Sequence, residues 1–210
     1  AQQAGLTPAA FLPYQLAGAR ERRAGHREED DGMNAEVTIR LAREGDLAAF
    51  RTIEQSAAGL FADYGLAELF ASMPTPGESF REGLHNARLW TAETGGRPVG
   101  FALAGVVGGN AHLEEIDVLP EFGGRGIGRA LIETVFAWAR GAGFCAITLT
   151  TMRNVPWNAP FYERMGFRVL RPEELTEPLR ELLSAEVGRG IPAENRVAMM
   201  KRFGSVVGAG

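Results

Sequence analysis

The sequence has a single cysteine, Cys145, so no disulfide can form within the chain and a reducing cytoplasm is the expected compartment. Its three histidines, His26, His85 and His112, are scattered without metal-ligand spacing, and no metal site is expected. No apolar run approaches the roughly 20 residues that span a bilayer, so no membrane partner is expected. Positive charge is not in excess: 22 Lys and Arg stand against 26 Asp and Glu, a formal net charge of −4. That balance gives no global attraction for nucleic acid, and no nucleic-acid partner is expected. Internal repeats are absent as well.

What is present is an ordinary globular composition, 45% hydrophobic and 23% charged over 210 residues, and the length favours one domain or one domain with extensions. The first 32 residues read differently. "ARERRAGHREEDDG" is a charge run without apolar period, as in a solvated tail, and Met33 follows it directly. The expected organisation is a tail or upstream segment over 1–32, a domain over 33–205 and a flexible C-terminus over 206–210.

From Val37 onward strands and helices alternate. "VTIRLA" reads as a strand, "REGDLAAFRTIEQSA" as a helix with Asp46 near its start, and "MPTPG" as a break. "ESFREGLHNA" reads as a second helix. "RLWTAET" and "VGFALAGVV" form a hairpin across a glycine turn, and "HLEEIDVL" is a further strand. "IGRALIETVFAWARGAG" is an amphipathic helix that closes on glycine. "CAITLTTM", "FRVL" and "RVAMMKRF" are strands, "APFYERMGF" opens as a short helix, and "TEPLRELLSAEVGRG" is a late amphipathic helix with Pro178 in its first turn. This order suggests a mixed sheet with helices on its faces.

The densest chemical signal is "PEFGGRGIGRAL", Pro120 to Leu131, with four glycines between a strand and a helix. Backbone N–H groups at a helix start have no intrahelical partner, and the helix dipole adds partial positive charge. Successive N–H groups in such a turn make an anion nest suited to a pyrophosphate. A phosphate loop of the GK[ST] type fails, because Arg129 and Ala130 follow Gly128. A GxGxxG loop fails too, because counting from Gly124 places Arg129 at the third glycine. The spacing that fits is (Arg/Gln)-x-x-Gly-x-Gly, written here as Gly123-Gly124-Arg125-Gly126-Ile127-Gly128.

A second block, "NVPWNAPFYERMGF", follows a strand and places Asn154 or Asn158 ahead of Tyr162, Gly166 and Phe167. The two blocks together resemble the GNAT family of N-acetyltransferases over approximately Val37 to Phe203, and "PWNAPFY" is similar to one bacterial branch of it. The resemblance departs at Gly123, where the family usually has Arg or Gln.

The resemblance implies an α/β (α+β) fold with a mixed, mostly antiparallel central sheet and helices on both faces. It also implies acetyl-coenzyme A as co-substrate and a primary amine of a small molecule or peptide as acceptor, with direct attack in a ternary complex. The alternative is a non-catalytic coenzyme A sensor of the same fold. The strands before and after the loop helix are expected to splay, with the backbone of Ile116, Asp117 and Val118 meeting the pantetheine arm and a Val118 N–H near the acetyl carbonyl. Gly123 to Gly128 would hold the pyrophosphate, with Arg125 and Arg129 near the 3′-phosphate.

Asn154 and Asn158 divide a cofactor contact and a helix cap between them, in either order. Tyr162 is the candidate general acid. Glu114 or Glu115 is the candidate base, and strict alternation puts His112, Glu114, Ile116 and Val118 on one face and Leu113, Glu115 and Asp117 on the other. Trp157 lines the acceptor pocket or braces its loop. The acceptor would be shaped by Tyr64 to Asn86 and by Pro172 to Gly190, whose leucines Leu179, Leu182 and Leu183 cap the site or meet a second subunit. The assembly expected is a monomer or a homodimer.

Overall fold

The computed structural model describes residues 36–204, so the expected tail (1–32) and C-terminus (206–210) lie outside the described residues. Seven strands build one sheet: β1 (Val37–Leu41), β2 (Leu89–Thr94), β3 (Arg97–Val107), β4 (Asn110–Val118), β5 (Ala146–Met152), β6 (Arg168–Val169) and β7 (Arg196–Arg202), in the spatial order β1-β2-β3-β4-β5-β7-β6. Neighbours are antiparallel except β4 and β5, which run parallel. The helices are α1 (Leu47–Ala58), α2 (Ala67–Ala71), α3 (Gly77–His85), α4 (Ile127–Gly141), α5 (Ala159–Arg164) and α6 (Glu177–Gly188). The β2–β3 hairpin turns on Gly95 and Gly96 at φ +55° and +78°, the pair of positive φ values that a two-residue hairpin turn needs.

Ring contacts assign the two faces of the sheet. Phe101 of β3 stacks on Phe50 of α1 at 4.6 Å between centroids, and Phe80 of α3 lies 5.5 Å from Phe101. Trp90 of β2, opposite Ala102, meets Trp138 of α4 at 6.0 Å. Helices α1 and α3 therefore cover one face and α4 the other. On α4, Leu131, Ile132, Val135, Phe136 and Ala139 are buried as one stripe, and each large member stabilises the fold by about 1.5–3 kcal/mol.

Helix α6 covers the α1 face farther along. Thr148 pairs with His112 across the β4–β5 ladder, and Thr150, two residues on, donates to Glu186 of α6 at 2.7 Å. Leu179 and Leu182 are buried against Leu170 and Ala198. Leu179 and Leu182 are thus core of this chain, which corrects the expectation that those two could meet a second subunit, while Leu183 is only partly buried.

The feature that positions the site is an irregularity in β4. Its register against β3 shifts between Leu103 and Ala104, which pair with Glu115 and Leu113, and Glu114 becomes the extra residue of a bulge. A bulge bends its strand and increases local twist. The β4–β5 ladder consists of Ala111↔Ile147 and His112↔Thr148 only, so the two strands part company where the bulge begins. The splay expected between these strands is present, and its local cause is Glu114.

Candidate active site

The loop at the mouth of the splay combines a 3-10 turn, Pro120–Phe122, with Gly124 at φ +73° and Gly126 at φ +80° as the residue that caps α4. A Cβ at either glycine would meet nothing within 4 Å. The left-handed backbone excludes a side chain there, and the space it would fill lies open for close approach. The N–H of Gly123 donates to the Pro120 carbonyl at 3.0 Å. That corrects the expectation that Gly123 offers its amide to a ligand. The N–H of Ala130 bonds the Gly126 carbonyl at 3.0 Å, so those of Ile127, Gly128 and Arg129 precede the first intrahelical acceptor. Together with the positive end of α4 they fit a diphosphate.

Cations flank this loop. The Arg125 guanidinium lies 5.0 Å from the centre of the Phe122 ring, and Arg129 bonds Glu133 at 2.9 Å one turn along α4. Between α4 and the end of α5 runs a groove of about 510 Å³, with Arg129, Arg140, Arg164 and Lys201 in its walls and Glu133 as its acidic member.

The bulge rearranges the carboxylates. His112 pairs with Gly105, Glu115 with Leu103 and Asp117 with Phe101, while Leu113, Ile116 and Val118 pair with Ala104, Ala102 and Gly100. His112, Glu115 and Asp117 therefore share the α1 face, and Leu113, Ile116 and Val118 share the α4 face. The Glu114 carboxyl also lies on the α1 face, because a Cβ on Gly105 would fall 1.7 Å from its Oε1. Strict alternation put the two glutamates on opposite faces and His112 with Ile116; both assignments are corrected, since one inserted residue reverses the parity of everything beyond it.

The two glutamates still differ. Glu114 is half-buried, and its pKa is pushed up to about 7, mainly by burial, with Arg88 opposing and Glu82 adding to the rise. It belongs to the α3 end of the strand. Glu115 is fully buried, and its Oε2 accepts a long 3.4 Å hydrogen bond from the Thr75 hydroxyl.

Tyr162 is fully buried, with its ring against Phe161 at 5.4 Å and Phe167 at 5.7 Å. It is thus core and candidate site at once. Its phenol pKa is raised, first by burial and then by the charges of Glu115 and Asp117, with Arg196 opposing. The charges that act on the phenol thus include two buried acids of β4. Glu114 is not among them.

The two asparagines separate. Asn154 is exposed and donates to Asn195 Oδ1 at 2.8 Å. Asn158 precedes α5 but makes no side-chain cap, which corrects one of its two expected roles. Its side chain is fully buried, and neither Oδ1 nor Nδ2 has a hydrogen-bond partner within the chain. A buried amide left so costs free energy unless a ligand satisfies it, which fits the amides of a pantetheine arm. Trp157 lies edge-on to Phe61 at 6.2 Å and Tyr64 at 5.7 Å, so it joins the loop after β5 to the segment after α1.

Sequence reasoning missed three charged residues of this region. Glu54 is buried on α1, where it accepts the Thr75 N–H at 2.8 Å and Arg51 at 2.9 Å, and burial raises its pKa. Glu186 and Arg196 form a buried pair at 2.7 Å behind Thr150. A signal existed for both acids. Glu54 follows Phe50 and Ile53, and Glu186 follows Leu179 and Leu182, so each occupies the apolar stripe of its helix.

Among the described residues no helix is long and apolar enough to cross a membrane, and no cluster of metal-ligating side chains occurs. A family model described as the acetyltransferase (GNAT) family matches residues 48–167. Solved structures similar to this chain include N-acetylglutamate synthase from Neisseria gonorrhoeae complexed with coenzyme A and N-acetyl-glutamate, at 18% identity and TM-score 0.60 over 81% of this chain; the match spans 36% of that protein's length. The PaiA N-acetyltransferase from Thermoplasma acidophilum in complex with coenzyme A matches at 16% identity and TM-score 0.58, over 80% of this chain and 99% of that one. The ribosomal-protein-S18-alanine N-acetyltransferase from Escherichia coli matches at 21% identity and TM-score 0.53, over 82% and 99%. At such identities the structural matches establish the fold.

Proposed function

Because the chain belongs to the GNAT family of acetyltransferases, with acetyl-coenzyme A as co-substrate, we propose that it acetylates a primary amine by direct attack in a ternary complex, with Glu115 as base and Tyr162 as hydrogen-bond donor to the leaving sulfur. The observation that carries this reading is the splay: β4 and β5 part beyond His112 and Thr148, and the buried acids of β4 share the face on which α1 and α3 pack.

When bound, the co-substrate supplies an activated acetyl thioester. The N–H groups of Ile127 to Arg129, with the left-handed turn at Gly124 and Gly126, would hold its diphosphate. Arg129 and Arg164 would face its phosphates along the groove, with Arg125 at the mouth. Asn158 and alternate residues from Ile116 to Val118 would meet its amides, and a Val118 N–H would polarise the carbonyl. Asn154, turned toward Asn195, is left out of this set.

An ammonium acceptor must lose a proton before it can attack, and the developing thiolate must be stabilised. Geometry ranks above pKa in choosing the base. Glu114 has a pKa near neutrality, yet it lies toward α3 and is not among the charges acting on Tyr162. Glu115 is among them, so it takes the proton, directly or through water. The Tyr162 phenol, kept protonated by burial, donates toward the sulfur.

The test is thiol release from acetyl-coenzyme A across an amine panel. Glu115→Gln should lower kcat by about 10²-fold or more, while Glu114→Gln changes it by less than about threefold. Equal losses, or the reverse order, would reject the assignment.

A further inference from the structure

One buried polar atom of β4 is unsatisfied. His112 is 1% exposed, and its Nε2 is buried with no hydrogen-bond partner among the described residues. Its Nδ1 lies 2.8 Å from Thr148 Oγ1, and that hydroxyl donates to the Ala111 carbonyl at 3.3 Å. The Thr148 proton is therefore in use, Nδ1 carries the imidazole proton, and Nε2 is a bare acceptor. A buried polar group left so costs about 1–3 kcal/mol, and ordered water is the usual donor where the chain supplies none.

The place of the ring gives that donor a use. His112 and Thr148 form the last rung between β4 and β5, so the imidazole stands at the vertex of the splay. Across the β3 ladder His112 pairs with Gly105 and Glu115 with Leu103. The bulge thus sets the two side chains on one face, two strand steps apart, roughly 7 Å at the backbone. Side chains leaning together over that spacing bring their polar tips within about 5 Å, which one water spans. Glu115 is held at both oxygens, with Oε1 accepting the Ile116 N–H at 3.3 Å and Oε2 the Thr75 hydroxyl at 3.4 Å. Both bonds are long, and they orient the carboxylate while leaving it able to take a proton. The Glu114 carboxyl, lying over Gly105, makes no bond to Nε2.

We infer that His112 is a positioning residue: its Nε2 and the Glu115 carboxylate hold one water between them, and the acceptor's proton reaches Glu115 through that water. This rests on the reading that Glu115 is the base. One O–H of the water points at Nε2 and the other at Glu115, so an oxygen lone pair faces the incoming ammonium. The ammonium N–H breaks and its proton joins the water oxygen, while the O–H facing Glu115 breaks and its proton joins the carboxylate. The water is restored, the amine is neutral with its lone pair ready to attack, and the bond to Nε2 is kept throughout. Burial, helped by Arg196, lowers the His112 pKa to about 3, so the imidazole orients the water without taking the proton itself.

His112→Leu removes the acceptor at similar volume, and His112→Gln returns one near the place of Nε2. With acetyl-coenzyme A and the best amine of the panel, His112→Leu should lower kcat by about 10–30-fold and leave both KM values within about twofold, while His112→Gln stays within about threefold of the native chain. Equal losses in the two variants, or no loss in His112→Leu, would overturn the inference. A change confined to the KM of the amine would overturn it too, because the amine itself would then sit on Nε2. A Glu114→Gln protein that matches His112→Leu would do the same, by moving the water to the other glutamate. Should the His112 variants fail to fold, the native chain decides. Two protons in flight give a bowed dependence of kcat/KM for the amine on the fraction of D2O, and a straight line or no dependence would sink the water. Full activity in Glu115→Gln would remove the base assignment as well, whereas an inactive Glu115→Gln beside a fully active His112→Leu would remove the water alone.

Discussion

Arg196 of β7 grips Glu186 of α6 with two hydrogen bonds, 2.7 Å from Nε to Oε2 and 2.8 Å from Nη2 to Oε1, and both side chains are closed off from solvent. The same guanidinium donates to Thr150 at 3.0 Å, in the part of β5 that has left β4 behind. The pair therefore fastens α6 to the open side of the splay, and α6 lies beyond the segment that matches the family model. Its positive charge is also felt by Tyr162 and His112. One ion pair thus links a helix outside the matched segment with the groups proposed for catalysis.

Breaking that pair from one side should be costly. Glu186→Gln leaves a buried guanidinium without its counter-charge, and the expected loss is about 3–5 kcal/mol in urea unfolding. A double replacement, Glu186→Leu with Arg196→Met, should recover at least half of it, because apolar groups of similar volume can substitute for a buried pair. A double variant no more stable than the single one would show that the charges themselves, and not their imbalance, hold α6 in place.

The glycine turn gives a second test. Gly126 sits at φ +80°, and a left-handed residue other than glycine costs roughly 1–2 kcal/mol. Gly126→Ala should raise the KM for acetyl-coenzyme A about tenfold and leave the KM for the amine within a factor of about two, since the diphosphate nest is what moves. Gly59, at φ −58° with open space around it, is the control. Gly59→Ala should change neither constant, and steady-state kinetics on both substrates decides the matter.

How much of this was legible in the residues can be argued from β4. The glycine loop, the α4 stripe and the order of strands follow from local chemistry: positive-φ turns, helical periodicity and the break at "MPTPG". The bulge does not, yet its trace is in "HLEEIDV". Leu113 and Ile116 are three apart, so no strict period of two can put both on the α4 face, and one extra residue does so. Glu54, Glu186 and Arg196 could not be read as buried partners for another reason. Whether a carboxylate inside an apolar stripe is an outward exception or a buried partner depends on what the chain brings from elsewhere, here Thr75 at the break and Arg196 from β7.

A third prediction concerns pH and Glu114. Its pKa stands at about 7 against an ordinary 4.5. Between those values the folded protein keeps a proton that the unfolded chain has released, so the stability this residue contributes is full below about 4.5 and is lost as pH rises through about 7. Glu114→Gln removes the titration. Relative to that variant, the native chain should lose about 1–3 kcal/mol between pH 4.5 and 8, the range allowing for a half-buried site. Parallel stability profiles for the two proteins across that window would refute the burial argument.

The last prediction separates two roles for Tyr162. A phenol whose pKa is raised by burial and by the charges of Glu115 and Asp117 parts with its proton reluctantly, whereas a free thiol has a pKa of about 8.5. Full transfer to the departing sulfur would run uphill, so the phenol serves better by donating a strong hydrogen bond to the developing thiolate. Such a bond to a charged group is worth about 1.5–3 kcal/mol, which corresponds to roughly 10–150-fold in rate. Tyr162→Phe keeps the ring contacts with Phe161 and Phe167, so the fold and the KM for acetyl-coenzyme A should hold while kcat falls by about that factor. A loss near 10⁴-fold would point instead to complete proton transfer, for which the buried acids beside the phenol would have to be protonated when it acts. An unchanged kcat would remove Tyr162 from the chemistry and return it to the core.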